Sequence, residues 1–311
     1  MDKVEDFEIS KPISIDMLVR QMLKSGGFTA KNLSLGVDIL EEMVKDKDSL
    51  NFLSFPACII ATGARGIIKE MLKRKFFNVV VTTCGTLDHD LARCYRDYYQ
   101  GDFYMDDREL RKKRISRIGN ILVPHTSYGE IIEEKMTEFL NELYLQGNRE
   151  LATYELCWAL GKKLDENSLL YWCWKNSVPV IVPGITDGAV GYQLWQFSQD
   201  RDLKINVLKD EKLLSDMVWE AEKSGALIIG GGISKHHVLW WNLFRKGLDY
   251  AVYITTAVEY DGSLSGARPR EAISWGKIRE KAKTVTIEAD ATVVLPIMYA
   301  ALLERLQRFS Q

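Results

Sequence analysis

The sequence predicts an α/β fold, doubly wound about a mostly parallel sheet, with helices on both faces and further helices at the N-terminus. Three observations predict it. Beyond about residue 50, short apolar runs alternate with stretches of helical length and period. Several runs, such as Val178–Val182 and Ala226–Ile229, are apolar throughout, the pattern of strands covered on both sides. Glycines, threonines and carboxylates follow the runs directly, at the edge where an open parallel sheet receives ligands.

In chain order, residues 1–13 lack periodicity and are expected to form a flexible arm, leaving 14–311 as a single domain. Ser14 can accept from the first free N–H groups of a helix running to about Lys24, which Gly26-Gly27 closes. A second helix is expected from Ala30 to Val44. Strands are expected at Asn51–Phe55, Val79–Thr83, Asn120–Val123, Val178–Val182, Lys204–Val207, Ala226–Ile229, Tyr250–Ile254 and Thr284–Ile287. Between them fit helices such as Gly63–Lys73, Tyr128–Leu145, Thr153–Leu164 and Leu213–Lys223. The polar stretch Asp106–Arg117 reads as an exposed helix or a lid, and the aromatic-rich Tyr154–Trp174 segment as a contact surface or core.

Composition narrows the class. With 311 residues, 46% of them hydrophobic, the chain can bury a sizeable core. A net charge of −2 gives no electrostatic case for nucleic acid as the main partner. No apolar run approaches the roughly 20 residues of a membrane span. The opening Met-Asp-Lys-Val-Glu-Asp has neither the basic start nor the apolar core of a secretory signal. The five cysteines show no CxxC spacing and an odd count, which fits reduced thiols in a cytoplasm and no metal site.

The residues that suggest chemistry lie at five expected strand ends: Thr82-Thr83-Cys84-Gly85, Gly184-Ile-Thr-Asp187-Gly188, Gly230-Gly231-Gly232, Thr255-Thr256-Ala257 and Glu288-Ala-Asp290-Ala291. Any one could be an ordinary tight turn; five together point to a ligand edge. Glycines after a buried strand let backbone approach a phosphate closely. The GxGxxG fingerprint is absent, so a dinucleotide on this Rossmann-like sheet would be held in a different way. Further on comes Ser265-Gly-Ala-Arg-Pro-Arg-Glu271-Ala-Ile-Ser-Trp275-Gly-Lys277. A lysine beside an indole face can be partly desolvated, which favours the uncharged amine that attacks carbonyls and imines. His236, in Lys235-His236-His237, is of the type that takes a proton near neutrality. From the residues alone, His236 also fits a histidine buried at a helix start, Trp275 a core aromatic, and Glu271 a solvent-facing helix residue.

The succession Gly230–His237, Asp249–Ala257, Asp261-Gly-Ser-Leu-Ser-Gly-Ala-Arg-Pro269, Glu271, Ser274–Ile278 and Asp290-Ala291 resembles the deoxyhypusine synthase family, with the look of an archaeal-type member. The resemblance runs from about Gly26 to Pro296. It implies an enzyme that uses NAD to oxidise spermidine, captures the imine on a lysine, and passes the aminobutyl group to one lysine of the translation initiation factor 5A precursor. Lys277 then corresponds to the covalent lysine, His236 to the active-site histidine, Trp275 to the tryptophan along the polyamine, and Glu271 to a carboxylate that fixes the donor. Asp88 falls among the substrate-side positions. Thr83, Gly85, Asp187, Gly231, Thr256, Ala257, Asp261, Ser265, Asp290 and Ala291 fall on positions used around NAD. The family also implies a cytoplasmic homotetramer with active sites at the dimer interface.

This chain departs from the family's pattern at several places. Ala57 and Ala61 stand where serines are expected beside the cofactor, and Asp88-His89 replaces a pair with a glutamate that holds ribose. Tyr192 and Leu264 replace donor-side aspartates, and Trp240 replaces an asparagine. Losing carboxylates changes how ammonium groups are balanced; cation–π contacts supply only ~0.5–2 kcal/mol each. Transfer to a free diamine, as in homospermidine synthesis, and a non-catalytic NAD-binding relative remain open alternatives.

Overall fold

The computed structural model describes residues 1–308 and resolves two compact units. The first comprises Met1–Phe55, Phe76–Asn78 and Leu214 onward; the second comprises Pro56–Lys75 and Val79–Leu213. The chain is α/β, as its residue pattern predicts.

In the first unit four parallel strands lie in the order Ile278–Glu288, Leu248–Thr255, Lys223–Ile229, Ser49–Ser54. Side chains alternate across a strand, and two neighbours on one strand show how both faces are covered. A Cβ at Gly225 would meet Met43 of the Phe28–Lys45 helix, whereas Ser224 donates to Asn242 of the Gly232–Leu243 helix (2.6 Å). Those two helices therefore flank the sheet on opposite sides. Such strands can be apolar throughout, and Ala226–Ile229 and Ala251–Ile254 are all buried.

The helix Ile15–Ser25 starts at Ser14, whose hydroxyl accepts from the Met17 amide, and ends at Gly26 with φ +69°. It is joined to Phe28–Lys45 and to the last helix by Arg305, which is 2% exposed. Its guanidinium donates to Asp16 (2.5 Å), Asp38 (2.5 Å) and Glu41 (3.2 Å). The N-terminal arm has no helix or strand, but it runs along the first helix: the Glu8 amide donates to Gln21 Oε1 (2.8 Å), and Gln21 Nε2 returns a bond to the Glu8 carbonyl.

In the second unit, Val79–Val81 pairs in parallel with Val180–Ile181, and Glu150–Leu151 with Lys204–Ile205. Helices Ala64–Lys73, Cys84–Tyr95, Gly129–Leu145, Thr153–Gly161, Leu169–Lys175 and Ala189–Asp200 make up most of the remainder. One carboxylate organises its centre. Asp90, fully buried, accepts from Arg65 (2.8 Å), from Ser168 Oγ (2.6 Å), and from the Leu169 and Leu170 amides (both 3.1 Å). It thus supplies acceptors for the otherwise free N–H groups that begin the Leu169–Lys175 helix.

Two expectations are corrected. The run read as Asn120–Val123 is Ile121–Pro124, and it belongs to a separate antiparallel sheet with Tyr99–Gln100 and Ile115–Ile118. Ile115–Ile118 pairs antiparallel with Ile121–Pro124 as a hairpin, so only Asp107–Lys112 of the polar stretch is helical. The helix expected over Leu213–Lys223 is Val207–Glu220, because Lys223 begins a strand paired with Ser49 and bonds Asp46 (2.8 Å). Among the described residues, no helix is long and apolar enough to cross a membrane.

Candidate active site

In the first unit the chemistry is built where three parallel strands end. After Ile229 the backbone turns at Gly230 (φ +68°) and Gly232 (φ +73°) into the Gly232–Leu243 helix. The helix start has no side-chain cap, and a Cβ on Gly232 would meet nothing within 4 Å. A Cβ on Gly231, in contrast, would lie 2.3 Å from Ser265 Cα. The turn is therefore tight against one loop and open on its other side, at the start of a helix whose first N–H groups no side chain caps. That arrangement fits the phosphates of a dinucleotide, which need close backbone approach and N–H donors.

Helical spacing then sorts the next residues. Lys235, Val238, Leu239 and Asn242 face inward, while His236 and Trp240 share the outer face one turn apart. Their rings stack with centroids 6.1 Å apart and planes 19° apart. Burial, and then the charge of Lys277, hold the His236 imidazole below its usual range. At neutral pH it is thus uncharged and able to accept a proton.

Lys277 is delivered by a second turn. The short helix Pro269–Ser274 ends at Trp275; Gly276 then takes φ +70°, a left-handed conformation that suits glycine. The Gly276 and Lys277 amides bond back to Ile273 and Ala272, and Ile278 starts the next strand. This reversal lays Lys277 Nζ 5.2 Å from the centre of the Trp275 ring. Among the described residues Nζ has no carboxylate partner within salt-bridge distance. Trp275 is 65% exposed and Trp240 43%, so neither is a core aromatic. Glu271 is exposed on the same short helix.

The influence of Lys277 on His236 gives a direct check. In a Lys277→Met protein the His236 ring should titrate at higher pH than in the native chain, because a positive neighbour no longer opposes its protonation. NMR titration of the histidine ring protons reads this shift; an identical midpoint in both proteins would mean that the two side chains do not face one another.

The remaining residues predicted around the cofactor in this unit sit at the same strand edge. Thr256 and Ala257 follow Thr255, and the Ala257 amide donates to Thr255 Oγ1 (3.1 Å). Asp261 accepts from the Ser263 amide (2.6 Å), which, with the Ser263 hydroxyl, holds its carboxyl below the usual range. Asp290 caps the last helix through Thr292 N (2.7 Å), with Ala291 beginning that helix. Leu264, a departure from the family pattern, turns its carbonyl to Lys235.

In the second unit, Thr83 precedes the Cys84–Tyr95 helix, and its hydroxyl accepts from the Ala57 amide (3.2 Å). A Cβ on Gly85 would lie 2.9 Å from Ala57 Cβ, so the alanine that replaces a serine is packed on the glycine. Asp187 is exposed at the turn before Ala189–Asp200. Asp88 is placed differently from an exposed ligand group. It is fully buried and accepts from Val190 N (2.8 Å), Ala189 N (2.9 Å) and Tyr128 Oη (2.7 Å), capping the start of the Ala189–Asp200 helix. Burial pushes its carboxyl up, against those bonds. Beside it, His89 is buried with Nδ1 2.9 Å from Tyr98 Oη; burial, and then Arg93, push its imidazole down to about 4, so it is neutral at pH 7. Tyr192 is exposed and tilted against Trp195, with ring centres 5.6 Å apart.

Reading the residues in order gave no role to Tyr128, Arg268 or Lys235. Only the last left a signal: its spacing from Val238, Leu239 and Asn242 puts a lysine on the inward face of a helix.

Comparison with known proteins agrees with these observations. The deoxyhypusine synthase family model matches residues 17–302. The Picrophilus torridus protein named "Probable deoxyhypusine synthase" is 54% identical over 97% of this chain and 97% of its own length. Proteins of the same name from Thermoplasma acidophilum (53%, over 96% of this chain and 97% of theirs) and Ignicoccus hospitalis (50%, over 99% and 97%) are similarly close. A solved Entamoeba histolytica chain carrying the deoxyhypusine synthase name superposes with a TM-score of 0.65 at 19% identity, covering 97% of each chain, and supports the fold. With its α/β architecture and a family match across nearly its whole length, this chain belongs to the deoxyhypusine synthase family and is an enzyme of that type.

Proposed function

We propose that this enzyme transfers the 4-aminobutyl group of spermidine to one lysine of the translation initiation factor 5A precursor, with NAD as its bound cofactor and Lys277 as the residue that carries the group. The observation that supports this reading best is the placement of Lys277 Nζ 5.2 Å from the centre of an indole ring, with its charge near enough to His236 to oppose protonation of that imidazole. An amine in that position, once deprotonated, can capture an imine carbon and exchange it for another amine. His236 is suited to take the proton released as the donor nitrogen's neighbouring carbon is oxidised. Trp275 offers a π face to the alkylammonium chain, and Glu271 a carboxylate to one of its ends. NAD, when bound, supplies the hydride acceptor and returns the hydride at the end of the cycle. The glycine turn at 230–232, with Ser265, Thr256, Ala257, Asp261, Asp290 and Ala291 around it, would hold that cofactor, as would Thr83, Gly85 and Asp187. Asp88 would act on the substrate side through the helix start it holds.

Residues 14–311 are read as one catalytic domain preceded by an arm, in keeping with a family match over 17–302. A homotetramer with sites at a dimer seam accords with the exposure of Trp275, Trp240 and Tyr260, large apolar groups that a second copy would cover. Five free cysteines accord with a cytoplasmic setting.

The test mixes the full chain, NAD, spermidine and the factor 5A precursor. One aminobutyl unit should appear on a single precursor lysine by mass spectrometry, and borohydride should fix an adduct on Lys277. Homospermidine formed from free putrescine with an unlabelled precursor would replace this reading by the diamine alternative. An absence of any product from protein that binds NAD would favour a non-catalytic role.

A further inference from the structure

Lys235 is 1% exposed, yet among the described residues no carboxylate bonds its ammonium. Its Nζ donates to the carbonyls of Leu264 (2.8 Å) and Ala267 (2.7 Å) and lies 4.4 Å from the centre of the Tyr253 ring. Burying a cation is costly unless its donors are used, and burial, with nearby Arg268, pushes this one down to about 8 against the pull of Glu271. The two carbonyls it holds bracket Ser265 and Gly266. That dipeptide is packed with no spare room: a Cβ on Gly231 would lie 2.3 Å from Ser265 Cα, and one on Gly266 would lie 2.0 Å from the Val258 carbonyl oxygen. Thr255 Oγ1 donates to the Ser265 carbonyl (3.1 Å), and Arg268 Nη2 to the Ala257 carbonyl (3.2 Å) and Glu288 (2.8 Å). Thr255 thus anchors the loop to a strand end, and among the described residues Lys235 alone ties two of its carbonyls to the helix that carries His236.

We propose that Lys235 is a positioning residue that clamps the Asp261–Ala267 loop onto the glycine turn and thereby sets the shape of the cofactor pocket in this unit, without entering the chemistry. An ammonium suits the task because it can serve two carbonyls and a π face at once from one short, buried head. Asp261 and Ser265 are carried on the clamped loop, and Gly231 lies directly under it. The inference rests on the reading of that pocket as the NAD site, and its test separates the two.

Hydrogen exchange is measured first on the native chain and on Lys235→Met, both without NAD. Loop amides that are protected in the native chain, such as Gly266 and Ala267, should exchange about tenfold faster or more in the variant, the scale of losing a charge-assisted bond. NAD affinity is then measured by tryptophan fluorescence on both proteins. The variant should bind about tenfold more weakly, with the loss carried by KM for NAD more than by kcat. Unchanged loop exchange and unchanged NAD affinity in folded Lys235→Met overturn the proposal, as does a collapse of kcat at saturating NAD with affinity intact, which would make Lys235 a catalytic residue. Faster loop exchange in Lys235→Met, together with a native chain that does not bind NAD, leaves the clamp standing and removes the NAD reading instead. Should Lys235→Met not fold, Lys235→Arg carries the test: its longer fork displaces both carbonyls, and an affinity and loop exchange equal to the native chain's overturn the clamp.

Discussion

Lys277→Met is expected to abolish turnover, with a loss on the order of 10³-fold or more, because on the proposed route Lys277 is the residue that carries the transferred fragment. Lys277→Arg should be as inactive, since a guanidinium stays protonated and does not attack carbon. Folding should hardly change. Among the described residues Nζ forms no salt bridge, the stem of methionine fills similar space, and surface replacements of this kind typically shift stability by no more than about 0.5 kcal/mol. The measurement is initial rate at saturating NAD and spermidine, with a thermal melt as the control for folding. A folded Lys277→Met enzyme retaining more than about a tenth of the native rate would sink the covalent route.

Asp90→Ala is expected to cost the second unit about 3–5 kcal/mol, the range for breaking one half of a buried pair. Its removal strands the Arg65 guanidinium in the interior and leaves Ser168 and the first amides of the Leu169–Lys175 helix without their acceptor. Exchange of amides across that helix should therefore rise together with a fall in denaturation midpoint. Replacing both partners, Asp90→Leu with Arg65→Met, should recover much of the loss, because no uncompensated charge remains. A single Asp90→Ala change that costs less than about 1 kcal/mol would show that Arg65 and the helix start find other partners.

The surroundings of Lys277 were legible because they are local in sequence. Trp275-Gly-Lys277 encodes its own geometry: a glycine that accepts φ +70° reverses the chain and places the amine beside the indole two residues back. The glycine turn at 230–232 was legible for the same reason, since a turn after a buried strand is written in adjacent residues. Asp88 was not. The family resemblance put Asp88 on the substrate side; its three bonds come from Tyr128, Ala189 and Val190, residues distant in sequence. Nothing near Asp88 in the sequence could report whether its oxygens would be free or occupied.

By itself, then, the order of residues determined the α/β class, the helix and strand alternation and the family, all of which depend on periodicity and neighbouring residues. Only the tertiary structure decided that Ile121–Pro124 joins an antiparallel sheet, that Asp88 and Asp90 are interior acceptors, and that Lys235 grips the loop beyond Asp261. The reason is physical. Local patterns set backbone conformation and the direction in which a side chain points, whereas the partner of a buried polar group is whatever the folded chain brings within about 3 Å of it.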